Sequence, residues 1–274
     1  MRLLIFVENN LGLCVFALIL GLFIGAFANT YILQCLSEEI PKEIVKDNHK
    51  GNEDELIEKI KEVQPYQRKW TEYIPILSWI KRSKKESSIL SIHKQISIEL
   101  FFSIGTLFLF FSFGLSKEWI LHTFALWYFI CGMICDINSR YCPSTLHQIA
   151  IVGVVAAGLF VNGIYSTALG IIFPGIVLYL FILVLETVLK KEVMGGGDLK
   201  MIILSGGLLG SALSVYLLIA GAIIVSIIYL GEVIRYKKEG KEYPVPMMVG
   251  YGLAFILYEI FVFTPEGKIF FDLF

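Results

Sequence analysis

The chain has 274 residues, 56% of them hydrophobic, with a mean hydropathy of +0.72 and a formal net charge of −1. A soluble domain is about half apolar only when glycine is counted, and the surplus here is gathered into runs of about 20 residues, the length that crosses a bilayer as a helix. Composition therefore excludes an ordinary soluble enzyme, and the balanced charge excludes nucleic acid as a partner held by bulk attraction.

The first apolar run extends from Leu11 to Leu33. Ala26-Phe27-Ala28 imitates a signal-peptide cleavage site, but Glu8 spoils the basic flank and the run is long enough to span, so it is expected to remain as a helix. Gly21 and Gly25 give it a small-xxx-small face suited to close helix contact. Residues 34–94 then break the pattern with 12 of the 23 Lys and Arg residues and 11 of the 24 acids. Within this polar insert Leu56, Ile57, Ile60 and Val63 keep helical spacing, which predicts one short amphipathic helix.

Seven further spans are predicted at about 97–115, 118–135, 146–162, 165–189, 199–211, 213–234 and 247–264, with a weak break near Ser211 and a short run at 199–211 that suits a tilted or half-buried helix. The expected fold is an all-α polytopic membrane protein of about eight transmembrane helices. It divides into a first transmembrane helix (1–33), a cytoplasmic insert (34–94) and a transmembrane catalytic domain (95–274). Arg140, Arg235, Lys237, Lys238 and Lys241 follow odd-numbered spans and Lys190, Lys191 and Lys200 flank the link after the fifth, whereas the opposite connections hold only Lys117. The positive-inside bias then makes the basic side cytoplasmic and the N-terminus external.

Two acids stand at span ends, and the same topology puts both on the cytoplasmic side. Asp136 opens DINSRYCP, and Asp198 closes the glycine turn of MGGGDLK. Carboxylates at the edge of a bilayer core are costly and are read as functional by default. Two that share a partly dry site hold one proton between them and titrate as a unit. The ionised member can take a proton from water while the protonated member polarises a peptide carbonyl and donates to the leaving amine. Gly195, Gly196 and Gly197 are expected to let the backbone turn and approach another chain, with Lys200 close enough to influence Asp198 or meet lipid head groups. No metal is signalled: there is no HExxH, and His49, His93, His122 and His147 are scattered and expected to be loop or interface residues. Cys14, Cys35, Cys131, Cys135 and Cys142 form no CxxC pair.

These segments, in this order, resemble the type IV prepilin peptidases, the GxGD-type aspartic proteases. GLFIGAFANTYILQCL resembles the family's opening G-S-F-L-N-V helix, and YIPILSWI the N-I-P-L-L-S-Y stretch that closes its cytoplasmic domain. ISIELFFSIGTLFLF resembles the helix that follows, with Glu99 at the acidic position. DINSRYCPSTL fits an Asp followed seven residues later by Pro, here Asp136 and Pro143. MGGGDLKM aligns Gly195, Gly197, Asp198 and Lys200, and YPVPMMVGYGLAF resembles the closing I-P-F-G-P segment.

The resemblance implies an enzyme of the bacterial cytoplasmic membrane. It would cut the basic leader from prepilins or pseudopilins on the cytoplasmic side, with Asp136 and Asp198 as the catalytic pair. Many relatives also methylate the new N-terminus with S-adenosylmethionine. Many carry two CxxC pairs that bind zinc in the insert; this chain has none, so no zinc is expected. Two other readings are a GxGD protease of preflagellin type and a non-catalytic transporter or scaffold with buried acids. The long insert weighs against the first. The single glycine break, without a counterpart in a repeated half, weighs against the second.

Overall fold

The computed structural model describes residues 10–41, 92–190, 196–236 and 247–262. The expected amphipathic helix near Leu56–Val63, the YIPILSWI stretch and Gly195 lie outside these residues, as does most of the insert. Among the described residues every regular element is a helix. They are α1 (Leu11–Gln34, continued by a π-helical turn, Cys35–Glu39), α2 (Ile92–Phe113), α3 (Lys117–Ser139), α4 (Ser144–Phe160), α5 (Ile164–Leu189), α6 (Gly196–Leu209), α7 (Ser211–Tyr236) and α8 (Met247–Val262).

Each expected apolar run carries one helix. Five of the helices (α1, α2, α3, α5 and α7) are long and apolar enough to cross a membrane; α4 and α8 are shorter apolar helices. At 14 residues and about 1.5 Å per residue, α6 reaches about 21 Å, short of the roughly 30 Å hydrocarbon core.

The chain divides into two compact units, Met1–Leu115 and Ser116–Phe274. The first unit is built on an antiparallel pairing of α1 and α2. A side chain at Gly21 would collide with the Ser103 backbone, and one at Gly25 with the Glu99 backbone, at 2.5 and 2.6 Å. The small-xxx-small face is therefore where the helices touch, as expected. Polar bonds fix the register: Ser103 Oγ donates to the Leu18 carbonyl at 2.9 Å. Asn29 Nδ2 donates to the Gln95 carbonyl at 2.8 Å and to Glu99 Oε1 at 3.0 Å.

In the second unit the short α6 is central, packing against α3, α4, α5, α7 and α8. Its tightest neighbour is α5, where Gly170 and Gly206 face each other. A Cβ on either would lie 2.1 or 2.0 Å from the other's carbonyl oxygen. Pro174 sits one turn after Gly170 within α5, and because proline has no N–H, the Gly170 carbonyl loses its helical donor and is left facing α6.

The break near Ser211 is real. Gly210 adopts φ +85°, a left-handed conformation that glycine accepts without strain. Asn162 Nδ2 donates to the Leu208 carbonyl at 2.8 Å and the Ser211 N–H donates to Ser166 Oγ at 3.3 Å, satisfying the groups that the helix ends leave open.

Candidate active site

Asp136 lies in the last turn of α3. That helix begins at Ser116, whose hydroxyl accepts the Trp119 N–H at 3.2 Å as an N-cap. It ends at Arg140, in the left-handed conformation with φ 59°, whose N–H donates to the Asp136 carbonyl at 2.8 Å. Pro143, buried and extended at φ −66°, precedes the first turn of α4. The Asp-to-Pro spacing is thus the distance needed to close one helix and open the next.

Asp198 occupies the first turn of α6 and is half-buried. It lies within electrostatic range of Asp136, as does Arg140. Both expected acids thus stand at one end of the second unit, where α3 finishes and α6 begins. The Asp136 side chain is only 6% exposed, and its Oδ2 accepts the Met248 N–H at 2.9 Å. The adjacent Val249 amide also acts on this carboxylate. Sequence reasoning missed these donors, because a main-chain amide leaves no mark in residue identity. The available signal was YPVPMMVGYG itself, a helix start rich in proline and small residues.

The glycine expectation is corrected at two positions. Gly196 and Gly197 form no sharp turn; they are the first residues of α6, and a Cβ on either meets nothing within 4 Å among the described residues. Their faces are open rather than packed. Lys200 is exposed and within electrostatic range of His147.

Two of the histidines are interface residues in the sense of helix against helix, each buried beside a polar side chain of another helix. His122 is buried on α3 and pairs with Glu259 of α8, its ring stacked near Phe255 and Tyr258. His147 is buried on α4, where Nδ1 meets the Tyr128 hydroxyl at 3.2 Å. The five cysteines are free thiols, four of them buried. Among the described residues no three His, Cys, Asp or Glu side chains gather in a way that could hold a metal ion.

Comparison with curated proteins and with solved structures gave no match. Residues 123–230 match the sequence profile of the Type IV leader peptidase family. With the apolar helices, this marks the chain as a membrane protein of peptidase type. The match assigns the segment that holds Asp136 and Asp198 to a prepilin-peptidase-type family.

Proposed function

We propose that this protein is an intramembrane aspartic endopeptidase. It removes the basic leader of type IV prepilins or pseudopilins at the cytoplasmic face of the bacterial inner membrane, with Asp136 and Asp198 as its acid–base pair. The observation that supports this reading is that Asp198 of α6 lies within electrostatic range of Asp136 of α3, both in the segment that matches the leader-peptidase family. In the proposed cycle the ionised aspartate draws a proton from water, and the hydroxyl oxygen bonds to the scissile carbonyl carbon. The protonated aspartate holds the carbonyl oxygen. A proton then passes to the departing amine as the C–N bond breaks, which leaves a carboxylic acid on the leader and a free amine on the mature pilin. The open faces of Gly196 and Gly197 suit an extended substrate strand beside Asp198. The reading needs no zinc, and its partners are the substrate and surrounding lipid, not nucleic acid.

Methylation of the new amine by S-adenosylmethionine belongs to the same proposal, and no described residue is assigned to hold that cofactor. Purified protein in nanodiscs, incubated with a prepilin and S-adenosylmethionine and read by mass spectrometry, tests both steps. A leader-sized fragment and a mature chain, with or without an added methyl group, are expected; an intact prepilin at all enzyme concentrations would overturn the reading.

A further inference from the structure

The first four N–H groups of any helix have no partner within it. In α8 these include the amides of Met248 and Val249, the second and third helical residues. An N-cap aspartate preceding the helix in its own chain segment would ordinarily accept them. Here the acceptor comes from another helix: Asp136 Oδ2 of α3 takes the Met248 N–H at 2.9 Å, and the Val249 amide acts on the same carboxylate. The Met248 side chain is fully buried, and a Cβ on Gly132 of α3 would strike its tip. The helix start is thereby pressed onto α3 beside Asp136.

Resting on the dyad reading, we infer that the N-terminal turn of α8 is a positioning element for the reaction. The Met248 N–H fixes Oδ2 of Asp136, so the carboxylate cannot rotate freely and its other oxygen keeps a set direction. Met248 is a positioning residue that acts through its main chain; it needs no contact with substrate. Anything that moves α8 then moves the acid–base pair out of alignment without altering either aspartate.

A one-atom change tests this. Protein made by cell-free synthesis into nanodiscs, with a suppressor tRNA delivering methionine or its α-hydroxy analogue at position 248, differs only by N–H against O. Loss of a hydrogen bond to a charged group predicts a kcat about ten- to hundredfold lower, with KM for the prepilin unchanged. A kcat within twofold of the methionine protein would overturn the inference. Asp136→Asn separates the two levels: if that variant still cleaves at the wild-type rate, the dyad reading falls and this inference with it. If it is inactive while the hydroxy analogue keeps full kcat, only the positioning claim falls. A second measurement does not depend on the analogue folding. The chain has six methionines, so 15N-methionine labelling gives a small set of amide signals. The Met248 amide is expected to resist hydrogen exchange in the wild type and to lose that protection in Asp136→Ala. Equal exchange in both would overturn the inference.

Discussion

At the scale of single residues, a carboxylate pair that shares one proton makes a specific demand. One member must be ionised and one protonated at the moment of attack. Cleavage should therefore follow a bell-shaped pH profile, falling on the acid side as the ionised member takes a proton and on the basic side as the shared proton is lost. Asp136→Asn and Asp198→Asn should each reduce cleavage by at least about a thousandfold, as loss of a member of a catalytic unit does, with normal insertion and yield. A monotonic profile or a competent single Asn variant would count against the pair. Both acids were legible in the sequence because a charge at the end of an apolar run is costly and so stands out. The Met248 amide was not, since every residue but proline has one. His122 and Glu259 should have drawn notice for the same reason as the aspartates, being ionisable groups inside apolar runs, but nothing in a linear sequence pairs positions so far apart.

At the scale of helices, the glycines of α6 fall into two kinds with different consequences. Gly206 lies against the Gly170 backbone of α5, so any Cβ drives the helices apart. Gly206→Val should cost at least about 1–3 kcal/mol, lowering the SDS concentration at the unfolding midpoint and abolishing cleavage. Gly197 has nothing within 4 Å of a Cβ among the described residues, so Gly197→Val should leave that midpoint unchanged while raising KM or lowering kcat if substrate passes there. Equal stability losses at both positions would refute the distinction. The α3–α8 contact makes a further demand. Replacing Glu259 alone by Leu removes a buried hydrogen-bond partner of His122, a change that typically costs about 1–3 kcal/mol. The double variant His122→Leu/Glu259→Leu should recover much of that loss in the same SDS titration; no recovery would mean that the two side chains act separately. The existence and approximate bounds of these helices could be read from apolar runs of spanning length. Which helix touches which could not, because Gly170 and Gly206 look like any small residues in a run until a neighbour's backbone is seen against them.

At the scale of the whole chain, the long stretches of exposed Ile, Leu, Val and Phe on α5 and α7 would be an aggregation hazard in water. They are ordinary surface in lipid, where helices satisfy their own backbone bonds. This also explains why sequence periodicity was a poor guide to packing: a helix apolar on every side shows little difference between its lipid-facing and its protein-facing stripes. Charge carries the orientation instead. The links that follow α3, α5 and α7 hold Arg140, Lys190, Lys191, Lys237, Lys238 and Lys241, whereas the link from α4 to α5 holds no Lys or Arg. On the proposed reading, the positive-inside bias would put Asp136 and Asp198 on the cytoplasmic side, the side from which a prepilin substrate would present its basic leader. Alkaline phosphatase fused after Asn162 should be active, because it would be exported, and the same fusion after Lys190 should be inactive. A cytoplasmic reporter should give the reverse pattern. The opposite result would put the two aspartates across the bilayer from the leader, and cleavage of that substrate would then require a different topology from the one the charges specify.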